Sequence, residues 1–287
     1  MSRKKGGLNA PLALLAVWTL ALVLFPLLYV LLLSFLTGSQ TVGVEYVPTL
    51  DNYRRLLEPQ YDGIYASSLR IACLTTLFTL LLGYPFAWFL FRQREKTRNV
   101  LLMLVIIPFW TSALMRTYGW MILLRNKGLI NGLLQALHLI DKPVRMLNTP
   151  GAVLLGMTYS LLPFMILSVY TSVEKLDLTL VEAARDLYAG PLQVFATVIL
   201  PQTLPGILSG CVLVFVPAAG MYFISDLLGG GSGMLLGNLI NNQLTVSRDW
   251  PFGAALSVIL IVITFLTMNV YRRFAVNGAQ RGGDDRA

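Results

Sequence analysis

Charge is scarce in this chain. Asp, Glu, Lys and Arg make up 13% of the 287 residues, about half of the roughly 25% that a soluble domain carries. So few ions cannot clothe a water-facing surface of this size, which excludes a soluble enzyme or a free cytosolic binding module. Histidine is scarcer still. His138 is the single one, so a histidine-based metal set or catalytic relay has no material to work with. The two cysteines, Cys73 and Cys211, both fall inside apolar runs. They make no disulfide framework and no metal set, and are expected as buried free thiols. There is no Gly-rich loop ending in Lys-Ser or Lys-Thr, so no P-loop binds and hydrolyses nucleotide here. A Ser-His-Asp or Cys-His arrangement is also lacking. The net charge is +8, yet no basic stripe is interleaved with aromatics, which argues against nucleic acid as a partner. Low-complexity tracts and domain-type linkers are missing too.

What the chain has in quantity is apolar surface, 56% of its residues. Arg3, Lys4 and Lys5 precede the run Pro11–Leu36, which is long enough to cross a hydrocarbon core of about 30 Å. It exceeds the apolar region of a signal peptide and reads as a retained first helix. A polar stretch, Thr37–Ala66, carries Glu45, Asp51, Glu58 and Asp62. The second span is Leu69–Phe91, closed by the basic turn Arg92, Arg94, Lys96 and Arg98. Val100–Leu124 is the third, interrupted by Pro108 and Arg116. Gly151–Val173, Ile207–Leu228 and Gly253–Tyr271 follow as fourth, fifth and sixth, and Arg272 and Arg273 close the last. The expected fold is therefore all-α: one polytopic membrane domain over 1–287, core about 66–273, with six transmembrane helices. Lys and Arg are the denser on one set of loops, which puts both termini in the cytoplasm. Arg125–Pro150 resists this rule, because it holds Arg125, Lys127, Lys142 and Arg145 and yet must lie outside. Within it, Leu129–Ile140 is too short to span. It reads as an amphipathic helix at the membrane surface, either a lid on the bundle or a docking face.

One stretch between spans is built differently. Asp177 can cap a helix in which Leu180, Ala184 and Leu187 recur at spacings of three and four. Gly190-Pro191 breaks that helix and opens another, with proline at a first helical position. Pro201 and Pro205 are expected to end the second piece before the run at Ile207. Charge counting places this loop, 174–206, in the cytoplasm. A plain connecting loop and a surface for gripping a partner both fit these signals.

The same stretch resembles the coupling loop of ABC-importer permeases, the Glu-Ala-Ala motif. Glu182, Ala183 and Ala184 match it, and Phe195, Val198, Leu200, Pro201, Pro205, Gly206 and Ile207 match or nearly match its tail. At the position of the motif's glycine stands Tyr188, with Gly190 two places on. By that resemblance, Glu182, Ala183, Ala184, Asp186, Tyr188, Ala189 and Gly190 contact an ATPase. Further stretches resemble the spermidine/putrescine ABC-importer permeases, the first of their paired subunits: TLDNY at 49–53, LGYPFAWFL at 82–90, PFWTSALMRTYGW at 108–120, LLPFMILSVYTSVEKLD at 161–177, SDLLGGG at 225–231 and RDWPFGAA at 248–255. The resemblance implies a type I importer fold in the bacterial inner membrane, paired with a second, different permease. It also implies an ATPase homodimer that binds the ATP and magnesium, a periplasmic polyamine-binding protein, and no cofactor in this chain. Another small organic solute is the alternative cargo. A membrane-embedded enzyme or sensor would need a catalytic set or signalling domain that the chain lacks.

Candidate residues for a substrate path are Trp110, Arg116, Tyr118, Tyr222 and Asp226. Arg116 lies about 24 Å into the third run, counted at the helical rise. It either snorkels outward or serves as a gate or a salt bridge to a partner. Asp226 either caps the turn before Gly229 or receives a cation. Interface belts account for most membrane aromatics. Trp110, beside Pro108 and Phe109 in mid-span, either packs or lines a passage where each ammonium contact gains about 0.5–2 kcal/mol. Gly229–Gly233 is a flexible turn or a ligand loop.

Overall fold

The computed structural model describes residues 14–15, 17–39, 43–231 and 233–284, with side chains as far as 269. It divides into two compact units, residues 1–62 with 239–262, and residues 63–238 with 263–287.

In the first unit a π-helical turn, Leu20–Leu24, runs into α1 (Phe25–Leu33). The expected span Pro11–Leu36 lies partly outside the described residues, and within them the apolar helix covers Val17–Leu33. The chain is mostly helical as expected, and among the described residues the all-α expectation is corrected only by one hairpin. β1 (Leu36–Ser39) and β2 (Gly43–Pro48) form an antiparallel hairpin with an irregularity after Leu36. Val44, Tyr46 and Val47 are strand formers, and no helical apolar period competes with them. α2 (Asp51–Arg55) follows. Asn52 donates its side-chain amide to the carbonyls of Ser34 (3.0 Å) and Leu36 (2.8 Å), and Phe35 packs on Tyr53 at 5.1 Å. Arg55 bonds Asp249 at 2.7 Å and lies 4.0 Å over the ring of Phe252. Two sequence stretches almost two hundred residues apart, 49–55 and 248–255, thus meet in one polar clasp.

The second unit holds most of the helices. α3 (Pro59–Phe91) starts well before the expected Leu69, since the polar residues from Pro59 onward simply extend the helix beyond its apolar part. α4 (Glu95–Ile106), a 3-10 turn Ile107–Trp110 and α5 (Ala113–Leu123) replace the expected third span, with a 92° bend between the two arms. α6 (Leu129–Ala136) and α7 (Pro150–Val173) come next, then α8 (Leu178–Asp186) and α9 (Pro191–Val194). A π-helical stretch, Phe195–Ile199, joins α9 to α10 (Leu200–Gly220). α11 (Tyr222–Gly229), α12 (Leu236–Thr245) and α13 (Trp250–Asp284) complete the chain, the last two contributing residues to both units. Among the described residues four helices are long and apolar enough to cross a membrane, or five if the bent pair counts as one.

The fifth span differs most from expectation. Pro201 and Pro205 do not end a helix; one helical rod runs Pro191–Gly220. The reason is the π turn just before Pro201. The Leu200 N–H reaches back to the carbonyl of Phe195, and this wider turn makes room for a ring that would clash in a regular helix. The same device precedes Pro26, where the Phe25 N–H bonds Leu20. The rod stops at Met221, which turns extended (φ −77°, ψ 97°) after Pro217. The stretch expected to carry the span through to Leu228 is therefore a separate helix, α11. The cysteines also differ. Both are free, but Cys73 is exposed and Cys211 half-buried, because an apolar run in a membrane helix supplies a lipid face as well as a core face.

The centre of this unit is α7, whose apolar stretch is 56% buried against 28–33% for the other spans. It starts on a Thr149 cap, whose hydroxyl accepts the Ala152 N–H at 3.2 Å, and Pro150 fills the first helical position. Gly206 and Gly210 of α10, spaced as in Gly-x-x-x-Gly, face α7. A Cβ at Gly206 would meet the Ser172 side chain and, at 2.7 Å, the Ser168 carbonyl. One at Gly210 would meet Met165 Sδ at 2.6 Å. Small residues let two backbones close where lipid gives no hydrophobic drive. Ser168 uses this closeness to donate to the Gly206 carbonyl at 3.1 Å, and Tyr84 of α3 meets the Thr203 hydroxyl at 3.2 Å. Gly206→Val should therefore destabilise the chain by about 1–3 kcal/mol, the usual cost of overpacking. A lowered thermal midpoint in detergent measures it, with Gly63→Ala, which meets no neighbour within 4 Å and gains up to about 1 kcal/mol of helix propensity, as the control whose midpoint does not fall.

Candidate functional site

The loop after α7 is built as a knuckle. Asp177 caps α8 as expected: its carboxylate accepts from the Thr179 N–H (3.0 Å) and hydroxyl (2.6 Å). Of the expected apolar face only Ala184 turns inward. Val181, Leu176, Val194 and Ile199 form the buried cluster, and Ala184, Ala189, Phe195 and Trp88 close around it. Leu180 and Leu187 point outward, Leu187 being 82% exposed. A short amphipathic helix with apolar residues on both sides carries one set for its own core and leaves the other uncovered.

α8 ends in a Schellman turn. The Tyr188 N–H bonds the Arg185 carbonyl at 2.9 Å, and the Ala189 N–H bonds that of Ala184 at 3.1 Å. Such a turn needs a left-handed residue, and Tyr188 supplies it with φ 59°. This explains why the motif favours glycine here: any other residue costs about 1–2 kcal/mol in that conformation. Gly190 does not stand in for it. It is extended at φ −65° and caps α9, with Pro191 at the first helical position as expected. Tyr188 is 98% exposed at the crest. Glu182, Ala183, Asp186 and Gly190 are also exposed, with Ala184 and Ala189 half-buried beneath them. All seven residues assigned to the loop thus belong to one local structure. At its base the Tyr170 hydroxyl donates to Glu174 at 2.8 Å, and Arg98 lies 3.9 Å from the same carboxylate. This ties the start of α4 to the root of the knuckle, a contact that sequence spacing does not reveal.

The other candidates lie around the bend between α4 and α5. The guanidinium of Arg116 donates to the carbonyls of Pro108 and, at 2.8 Å, Thr111, and sits 5.5 Å over the Phe109 ring. It caps the broken 3-10 turn, a role beyond the two sequence readings of snorkel and gate. Unpaired backbone carbonyls in a membrane are costly, and Arg116 takes up those at the bend. It also borders a largely apolar cavity of about 400 Å³ lined by residues such as Phe86, Phe109, Tyr159 and Pro163. Trp110 stands 79% exposed on the turn itself. Tyr118 is on α5, and α11, with Tyr222 and Asp226 one turn apart, packs against α5.

Asp226 is exposed but tethered. Asn238 donates its side-chain amide to Asp226 and, at 3.2 Å, to the Tyr222 carbonyl, while its own carbonyl accepts the Leu235 N–H. Asn238 was not singled out in the sequence; an asparagine in a polar run carries no signal until its partners are seen. The turn after α11 closes instead through left-handed Gly230, packed under Asn148, whose N–H bonds the Leu228 carbonyl at 2.9 Å. Ser225 holds the far side of the glycine loop by a 3.3 Å bond to Gly233. The structure thus gathers Tyr222, Asp226 and Asn238, and separately Trp110 and Arg116.

Comparison with known proteins identifies the family. A family model, "Binding-protein-dependent transport system inner membrane component", matches residues 63–276. The spermidine/putrescine transport system permease protein PotB of Escherichia coli (strain K12) is 49% identical over 256 residues, covering 89% of this chain and 93% of that one. Its counterpart in Salmonella typhimurium (strain SL1344) is 47% identical over 265 residues and 92% of both chains. Among solved structures, a chain of a bacterial alginate ABC transporter, in complex with an alginate-bound periplasmic protein, superposes with a TM-score of 0.74 at 16% identity over 93% of this chain and 94% of that one. The chain belongs to the family of binding-protein-dependent transport system inner membrane components.

Proposed function

We propose that this chain is one permease subunit of an ATP-driven importer for polyamines such as spermidine and putrescine. The observation that carries it is the knuckle at 182–192. Its exposed crest of Glu182, Leu187, Tyr188 and Leu192 sits over the buried Val181 cluster, and Leu192 stands on the first turn of the rod Pro191–Gly220. The identity of nearly half its residues to permeases named for spermidine and putrescine supports the cargo.

In this reading the chain crosses the inner membrane six times with both termini in the cytoplasm, and pairs with a second, different permease. An ATPase homodimer, which alone binds ATP and magnesium, docks on residues 182–190. A periplasmic binding protein delivers the polyamine at the opposite end. Closure of the ATPases displaces the knuckle. Because α9, the π stretch and α10 form one rod, the displacement travels up α10, and the Gly206–Gly210 seam passes it to α7. The breaks at Pro108 and Met221 are where the rod's neighbours can hinge. Polyamine ammonium groups meet Asp226 and the rings of Trp110, Tyr118 and Tyr222. Arg116, its charge occupied by the carbonyls of the bend, holds that wall in shape. One tethered carboxylate is a thin match for a multiply charged cation, so the rest of the acidic route comes from the partner permease and the binding protein.

Two variants test the knuckle in the reconstituted importer. Glu182→Lys should lower polyamine uptake about tenfold or more, within the range of coupling energies between sites, while the binding protein still captures substrate. Wild-type uptake by a well-expressed variant would refute the coupling role. Tyr188→Gly relieves the left-handed strain but adds unfolded-state freedom of about 0.4–1 kcal/mol, so thermal stability and uptake should both stay near wild type. A collapse of uptake with stability unchanged would show that the tyrosine ring itself is gripped by the ATPase.

A further inference from the structure

The segment between α5 and α7 is folded inside out for a lid. α6 turns its polar residue inward: Asn131 is 1% exposed, donating to the Arg125 (3.2 Å) and Val144 (3.0 Å) carbonyls and accepting the Val144 N–H at 2.9 Å. Ile130 packs on the core and Leu134 is half-buried, but the remaining leucines face out. Leu129 is 72% exposed, Leu133 59% and Leu137 59%, and Leu139 follows at 67% beyond the left-handed His138 that ends the helix. A lid would have turned that row onto the bundle.

The same Asn131 clamp brings the two ends of the segment together. Beside it opens a concavity of about 440 Å³ lined by Arg125, Asn126, Lys127, Arg145, Leu147 and Asn148. None of the ion pairs among the described residues involves these three cations, and Asp141 is the single carboxylate between residues 125 and 150. The concavity adjoins the start of α7, about 36 Å along that helix from the Glu182 loop, a separation comparable to the distance between the two headgroup layers of a bilayer.

We propose that α6 and this concavity bind an anionic phospholipid, with the phosphate headgroup among Arg125, Lys127 and Arg145 and an acyl chain along Leu129, Leu133 and Leu137. One amphiphile satisfies both halves of the surface. An acidic protein face would meet the cations and leave the leucine row uncovered; a free anion would do the same. The site also gives a physical reason for three of the four cations on a loop that the charge-distribution rule would place on the other side. It depends on the chain lying in a membrane, and not on the cargo or the direction of transport.

The test uses the purified chain with its co-purifying subunits in phosphatidylcholine nanodiscs that contain a minority of phosphatidylglycerol. Lipids retained on release are counted by native mass spectrometry. The wild type should retain phosphatidylglycerol in excess of its share in the disc. Retention should fall about fivefold for each cation removed in the series Lys127→Ala, then with Arg145→Ala, then with Arg125→Ala, the attraction expected of one Lys or Arg near an anionic surface. Leu129→Ser with Leu133→Ser should lower it as well. Arg54→Ala, which removes an exposed arginine already paired with Asp51, should leave it unchanged. The proposal is overturned if no enrichment occurs, or if the triple variant retains lipid as the wild type does. Displacement by millimolar inorganic phosphate would mark a free-anion site and also overturn it. So would a triple variant that keeps its lipid but loses stimulation by the binding protein, which would assign the surface to a protein. Since lipid counting needs no transport, failure here leaves the importer reading intact, and the reverse.

Discussion

Two glycines one turn apart set the architecture. At Gly206 and Gly210 the backbone of α10 approaches α7 closely enough for Ser168 to bond a main-chain carbonyl on its neighbour. In lipid, helices gain little from hiding apolar surface from one another, so contact must come from closeness and from polar groups that find partners. Thr203 and Tyr84 extend the same seam to α3, and Gly83 lets α3 approach Met165 of α7. Without this three-helix contact α10 would be a free rod, and nothing done to its end would be felt elsewhere.

The second constraint is that backbone polar groups in a membrane need partners inside the protein. It governs every break in the helices. At Pro201 a π turn preserves continuity, so α9 and α10 form one rod. At Pro108 continuity is given up, and Arg116 takes the carbonyls that are left. At Met221 the chain turns extended after Pro217, and Asn238 takes the Tyr222 carbonyl while holding Asp226. Three prolines thus yield one continuous rod and two breaks.

The two ends of α7 are of opposite character. One leads to a knuckle whose exposed aromatic and leucines suit a protein groove; the other begins beside a cationic concavity and a row of outward leucines. Both owe their exposed apolar residues to short helices whose inward side is already satisfied, by the Val181 cluster in α8 and by Asn131 in α6.

Much of this was legible in the residues themselves. Hydropathy and scarce charge determine a membrane chain, the Asp177 and Gly190-Pro191 signals determine the two helices of the knuckle, and the Glu182-Ala183-Ala184 stretch marks its family. These are local properties, carried by composition, capping chemistry and motif. Tertiary structure decided the rest. Periodicity states that a helix has an apolar face but not what covers it, so the leucines of α6 and Leu187 of α8 came out exposed. A proline reads as a break until the turn before it widens, so Pro201 and Pro205 ended up within one rod. The asparagines at 131 and 238 carry no signal until their carbonyl partners arrive from distant segments. Tyr188 shows both sides: its place in the motif is fixed by spacing, and the left-handed backbone that explains the motif's glycine exists only because the Schellman turn folds there.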